Sequence, residues 1–142
     1  RKSAVGKRYI YQLDLAEKPD VFTRRYTYHF PQRLDLDAMR KAAQLLIGTD
    51  GCAGYTDKKD EKSTKRTIYA IMICGQGSKV SIQYEGTGFL YHMVRILTGT
   101  LLEVGTGARS IESVKEPLKS KDRSQAGFLA PARGLFLDEV YY

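Results

Sequence analysis

The sequence has little of several residue types that would define a class of protein. It contains two cysteines, two histidines and no tryptophan among 142 residues. Cys52 and Cys74 stand far apart without CxxC spacing, which excludes a disulfide framework. A zinc site would have to gather scattered ligands, with His29 and His92 as the only histidines. We therefore expect two reduced thiols of a cytoplasmic protein and no bound metal.

A long apolar run is also missing. The most apolar stretch, FLYHMVRILTGTLL at residues 89–102, is shorter than the roughly 18 residues of a membrane span and contains Arg95. The opening RKSAVGKR has no signal-peptide core. These features predict a protein without membrane contact and a buried helix at 89–102. Because the first residue is Arg1 rather than Met, we expect a piece of a longer protein.

Acidic side chains are outnumbered by basic ones, 16 to 23, which gives a formal net charge of +7. The excess is concentrated in residues 1–75, with 15 basic and 9 acidic side chains. Clustered Lys and Arg displace counterions from phosphates, so this charge predicts a nucleic-acid partner, although a solvated face is the alternative. The candidate phosphate contacts are Lys7, Arg8, Arg24, Arg25, Lys65 and Arg66.

Alternating apolar and polar residues predict strands at 7–15 and 25–30. Residues 67–74 are apolar on both faces, as in a central strand, and a turn leads to a strand at 80–84. A last strand is predicted at 135–141.

Apolar spacing of three and four residues predicts helices between these strands. Asp35 is the N-cap of the first, residues 89–104 form the second up to Gly105, and Ser110 begins a third that Pro117 kinks or ends. The aperiodic segment between the first helix and the central strand, residues 49–65, predicts a surface loop. The chain, residues 1–142, is predicted to be a single α+β domain. Its sheet is antiparallel or mixed, with two to three helices packed on one face.

Arg95 is the one full charge in the stretch 89–102 of the second helix. Gly99 follows one turn later, and because a mid-helix Gly costs about 1 kcal/mol relative to Ala, another segment should pack closely there. A buried guanidinium requires a carboxylate partner. Three candidates within the chain are Glu85, Glu103 and Asp138. A partner outside the chain and an arginine that extends to solvent are the other possibilities.

Three segments carry a resemblance to a known family. GFLYHMVRILTGTLLEVGTG (88–107) and KDRSQAGFLAPARGLFLDEVYY (121–142) resemble two blocks in the second half of the tRNA pseudouridine synthase A family, and GKRYIY (6–11) resembles the start of that half. The resemblance spans nearly the whole chain in order. It implies the C-terminal half of an enzyme that isomerises uridine to pseudouridine in the anticodon arm of tRNA. It also implies a homodimer and no cofactor.

The resemblance also assigns residues to a site. The family's catalytic aspartate lies in a Gly-Arg-Thr-Asp segment of the first half, which this chain lacks, so the chain alone should be inactive. Arg95 matches the arginine that pairs with that aspartate, and Tyr9 matches the tyrosine that packs on the target base. Gly134 and Leu135 match the final strand that lines the cleft. Core packing is the alternative for Tyr9, Gly134 and Leu135.

The sequence departs from the family pattern at two places. Gly51 to Tyr55 replace a segment with Asp and two Phe, and Ile96 replaces an asparagine. The resemblance implies that the first change removes aromatic bulk near the cleft, and that the second removes a polar side chain beside Arg95.

Two other functions remain open, a dimerisation domain and a non-catalytic RNA-binding module. In the second, Tyr9, Tyr11, Tyr26 and Tyr28 would form a stacking surface. Taken singly, the last three are expected to be core tyrosines. His92 is expected to be a packing residue without a catalytic role.

Overall fold

A computed structural model describes residues 5–59 and 62–142 of the chain. Within these residues it contains six strands and three α-helices. The strands are β1 (Gly6–Asp14), β2 (Tyr28–His29), β3 (Gly48–Gly51), β4 (Lys65–Gln76), β5 (Lys79–Gly86) and β6 (Leu135–Tyr141), and the helices are α1 (Leu36–Gln44), α2 (Met93–Thr106) and α3 (Glu116–Ser120). The predicted α+β class is confirmed.

The strands form one mixed sheet in the order β2-β1-β5-β4-β3, and β6 also pairs with β1. Only the β1–β2 pair is parallel within the described residues. The alternation predicted for β1 places Tyr11 and Leu13 on a buried face, and antiparallel pairing sets Ile82 opposite Tyr11. Tyr84 joins this face to α2 through a 2.7 Å hydrogen bond between its hydroxyl and Thr98 Oγ1.

The helices cover the buried face of the sheet. Helix α1 packs on α2 and β4, and it begins as predicted, with the Asp35 carboxylate accepting a 3.0 Å bond from the Ala38 amide. Helix α2 begins at Met93 and not at the predicted residue 89, and it continues past Gly105, which lies against Met39, to Thr106, with Gly107 at φ of 84° as its C-cap. Neither these helices nor α3 has the length and hydropathy of a bilayer crossing in the described part of the chain.

Three predictions about the elements need correction. The predicted loop at 49–65 contains β3, which pairs with β4, and the buried side chain of Tyr55; its residues 60–61, like residues 1–4, lie outside the described residues. The predicted strand at 25–30 shortens to the two residues of β2. The central strand is not buried on both faces, since Met72 is 52% exposed. These elements depend on pairing with distant strands, which local pattern does not record.

The third predicted helix divides near its proline. A 3₁₀ turn spans Glu112–Lys115, and α3 follows with Pro117 in its first turn. Proline lacks the amide hydrogen that a helix interior needs, whereas the first turn has no use for one.

The segment 126–131 packs along α2 and is hydrogen-bonded to it. Gly127 N donates to Thr100 Oγ1 at 2.8 Å, and Ala130 N donates to the Arg95 carbonyl at 3.2 Å. A Cβ added at Gly99 would overlap the carbonyl of Phe128. The close packing predicted from the mid-helix glycine is therefore confirmed.

The substitution Gly99→Ala should destabilise the fold. Alanine gains helix propensity of at most about 1 kcal/mol, but its methyl group collides with backbone that is hydrogen-bonded on both sides. We expect a net loss of about 2 kcal/mol in the free energy of unfolding, measured by urea denaturation. Thr106→Ala, at an exposed position of the same helix, serves as the control and should change it by less than about 0.5 kcal/mol. Equal stability of the two variants would contradict the packing described here.

Candidate functional site

A cleft opens between β1, the start of α2 and the start of β6. It has a volume of about 340 Å³, and Tyr9, Arg95 and Leu135 line it together. Phe89 stands on its wall and meets the Tyr9 ring edge to face, with 5.6 Å between ring centroids. His92 also lines it. Three of the four cleft residues expected from the sequence are thus brought together.

The guanidinium of Arg95 is held at one edge and unpaired at the other. Its Nε donates to the Ala130 carbonyl at 2.7 Å. Neither Nη1 nor Nη2 has a hydrogen-bond partner within residues 5–59 and 62–142, and no carboxylate of those residues lies within 4 Å. The side chain is half-buried. A charged fork in this position can receive a carboxylate end-on through its two Nη atoms.

The three carboxylates considered as partners within the chain are all engaged elsewhere. Glu103 pairs with Arg109 at 3.2 Å. Glu85 and Asp138 both pair with Arg8. The structure therefore does not contain the pairing of Arg95 within the chain that the sequence left open.

Arg8 is saturated by acidic partners. Its Nε lies 2.7 Å from Asp138, its Nη2 lies 2.7 Å from Glu139, and its Nη1 lies 3.5 Å from Glu85. The hydrogen bond to Asp138 outweighs partial desolvation and raises the pKa of Arg8. A phosphate would have to displace these carboxylates, so Arg8 leaves the group of candidate phosphate contacts.

The remaining basic candidates separate into two groups. Lys7, Lys65 and Arg66 line one opening of about 440 Å³, and Phe89 belongs both to that opening and to the Tyr9 cleft. Arg24 and Arg25 are exposed in the turn after β1. That turn begins at the opposite end of β1, about 23 Å from Lys7 along the strand. The described residues therefore do not bring all of these basic candidates together.

Gly134 lies beneath the cleft and not on its wall. It is buried, and an added Cβ would come within 2.7 Å of the Tyr11 ring. The Tyr11 hydroxyl donates to the Pro131 carbonyl at 2.6 Å, which fixes the chain just before β6. The packing alternative thus accounts for Gly134, while Leu135 lines the cleft.

The prediction that four tyrosines form one stacking surface is wrong. Tyr11 is 0% exposed, and Tyr28 packs edge to face against Phe30 and Phe128. Tyr26 is 68% exposed, so its expected place in the core is wrong as well. Tyr9 alone of the four lines the cleft.

The two departures from the family pattern lie in the core. Ile96 and Tyr55 are each 0% exposed, and the Tyr55 hydroxyl donates to the Val114 carbonyl. Gly54 is buried against Pro117. These buried side chains are not among the residues that line the cleft.

A charged network that the sequence did not predict lies next to the cleft. Asp57 accepts a 2.8 Å bond from His92 Nδ1 and another of 2.8 Å from Arg123 Nε. His92 has a left-handed backbone with φ of 64° at the start of α2, and it stacks on Tyr91 with 3.8 Å between ring centroids. No periodic pattern signals this network, because its members come from three separate loops.

The pKa of Asp57 is set by two opposing effects, burial and hydrogen bonding. Partial burial opposes ionisation, but the bonds from His92 and Arg123 prevail and lower the pKa of Asp57 below its ordinary value of 3.8. Within the described residues, no group of three His, Cys, Asp or Glu side chains could hold a metal ion. The groups that Asp57 binds are the side chains of His92 and Arg123.

Asp57→Asn should reduce stability in a pH-dependent way. Because the folded pKa of Asp57 is lowered, its contribution is complete above 3.8 and is lost as pH falls through the lower folded value. We expect the variant to lose about 1 kcal/mol in unfolding free energy at pH 6.5 and the difference to shrink toward pH 3. Glu17→Gln, which removes one exposed carboxylate, is the control and should show no such trend. A difference for Asp57→Asn that stays constant with pH would contradict the network.

Comparison with known proteins gives this site a family. A family model described as tRNA pseudouridine synthase matches residues 42–142. The tRNA pseudouridine synthase A of Bacillus subtilis (strain 168) is 46% identical over 143 residues, covering 100% of this chain and 58% of that protein. That of Geobacillus sp. (strain WCH70) is 43% identical over 143 residues with the same coverage. That of Clostridium kluyveri is 40% identical over 143 residues, covering 100% of this chain and 59% of that protein.

The chain thus spans about three fifths of the length of these relatives, while their similarity extends over all of it. The family match includes α2 with Arg95 and β6 with Leu135. On this evidence the chain belongs to the tRNA pseudouridine synthase family.

Proposed function

We propose that this chain is the second half of a longer tRNA pseudouridine synthase, in which it holds the target base and orients a catalytic aspartate supplied by the other half. The observation that carries the proposal is the guanidinium of Arg95, which presents two unpaired Nη groups in a cleft beside Tyr9. The cation is half-buried and always protonated, so a carboxylate is its natural partner. The relatives' greater length is consistent with such a partner outside this chain.

Arg95 would both orient the aspartate and keep its carboxyl group ionised. An end-on pair with Nη1 and Nη2 fixes the plane of the carboxylate, since Nε already bonds to Ala130. A nearby guanidinium also lowers a carboxyl pKa, which keeps the group ionised for attack or proton abstraction. The site thus prepares the nucleophile without contributing one.

The target base would lie against Tyr9. A volume of about 340 Å³ is near the lower limit for ligand pockets, which suits one nucleobase better than a base pair. A uridine must therefore leave its stack, and contact with the Tyr9 ring and the apolar walls at Phe89 and Leu135 replaces part of what it loses. The bond between N1 and C1′ then breaks, the base rotates, and a bond forms between C5 and C1′. C5 releases its proton, and N1 gains one.

Lys7, Lys65 and Arg66 would hold phosphates of the same RNA. Their opening adjoins the cleft at Phe89. Phosphate contacts of this kind make binding weaken steeply with salt.

Substitution of the cleft residues should abolish turnover in the full-length protein. Arg95→Ala removes the partner of the aspartate, and Tyr9→Leu removes the ring but keeps an apolar wall. For each we expect at least about a 100-fold loss in tritium release from tRNA labelled at uracil C5. Arg33→Ala is the matched control, because Arg33 is exposed next to Gly105 near the far end of α2, about 15 Å from Arg95 along the helix axis.

Two outcomes would overturn the proposal. Release by both cleft variants at the wild-type rate would remove Arg95 and Tyr9 from the site. If the wild-type protein bound tRNA and released no tritium, the non-catalytic RNA-binding module would be the correct function.

A further inference from the structure

A second basic opening lies near the one lined by Lys7, Lys65 and Arg66, since Thr64 lines it and is followed directly by Lys65. It has a volume of about 400 Å³, and among the residues that the structure describes its charged lining consists of four cations, Lys58, Lys59, Lys121 and Arg123, and one carboxylate, Asp122. We propose that this opening binds a backbone phosphate of the RNA, next to the nucleotide held in the Tyr9 cleft. The inference rests on the proposed function, because that function supplies the RNA.

Backbone geometry aims Lys121 at this opening. Lys121 has a left-handed conformation with φ of 59°, which glycine adopts with less strain. Its Nζ donates to the Gly51 carbonyl at 2.9 Å and also to the Leu118 carbonyl. An ammonium has three donors, so one remains for a ligand. The other non-glycine residue with positive φ in the described chain is His92, so the strained positions stand at this opening and at the cleft.

Arg123 also keeps a donor for a ligand. Its Nε bonds to Asp57 and its Nη1 donates to the Gly127 carbonyl at 2.8 Å, while Nη2 has no partner in the described ranges. The one described acid of the opening, Asp122, accepts bonds at Oδ1 from the Ser124 amide at 2.9 Å and the Ser124 hydroxyl at 2.8 Å, and it keeps a single negative charge against four positive ones. Lys58 and Lys59 are exposed at its rim. The opening therefore offers convergent positive donors.

Asp57 connects this opening to the cleft. It bonds on one side to Arg123, which lines the opening, and on the other to His92, which lines the cleft. Phe89 makes the equivalent connection to the opening at Lys7, Lys65 and Arg66. Two cationic openings are thus connected to the cleft for one base. This arrangement fits a polynucleotide, whose phosphates flank each base, better than an isolated small anion.

The experiment compares two double variants of the full-length protein. Lys58→Ala/Lys59→Ala removes two charges from the opening, whereas Lys115→Ala/Lys119→Ala removes two exposed charges near α3 that do not line it. The probe is unmodified tRNA, and its dissociation constant is measured over a series of KCl concentrations. Each lost phosphate contact should reduce the slope of log affinity against log salt by about 0.7 to 0.9.

We expect Lys58→Ala/Lys59→Ala to weaken binding about tenfold at low salt and to reduce the slope by about 1. The control should shift affinity by less than about twofold and keep the wild-type slope. Equal effects of the two variants would overturn the inference, since only the total charge would then matter. Thermal unfolding of both variants verifies that they are folded.

Tritium release by the wild-type protein separates this inference from the proposed function. A wild-type protein without release refutes the proposed function, whatever the salt slopes. An active wild-type protein with equal slopes for the two variants refutes only the phosphate opening.

Discussion

The site depends on the close contact between helix α2 and the segment 126–131. Gly99 allows the Phe128 carbonyl to approach where any side chain would collide with it. That approach brings Ala130 alongside Arg95, where it exchanges backbone and side-chain hydrogen bonds with the arginine. A residue with poor helix propensity thus stands in the middle of a buried helix, where it leaves room for the segment that binds the guanidinium.

The two arginines near β1 differ in how far carboxylates of their own chain neutralise them. Arg8 meets three carboxylates of its own chain and is neutralised by them. Arg95 donates from Nε to a neutral carbonyl, and its two Nη groups keep the charge available. Partly desolvated charge without a counter-ion is costly, which makes such a group a point of attachment for an incoming acid. The proposed phosphate contacts at the two basic openings near the cleft follow the same reasoning.

Much of the fold could be predicted from the sequence, because β1, α1 and β6 carry regular apolar periods and clear end signals. Short elements could not, since β2 and β3 are defined by their partner strands. At the site, resemblance to a family indicated Arg95, Tyr9 and Leu135, and the structure brings them together. The network around Asp57 joins three loops, so no local pattern could have predicted it.

The most direct test of this account is a crystal structure of the full-length protein. We expect an aspartate from outside residues 1–142, with both carboxylate oxygens within about 3 Å of Nη1 and Nη2 of Arg95. Nε should remain bonded to the Ala130 carbonyl. A guanidinium turned to solvent, or paired with a carboxylate of this chain such as Glu103, would contradict the account.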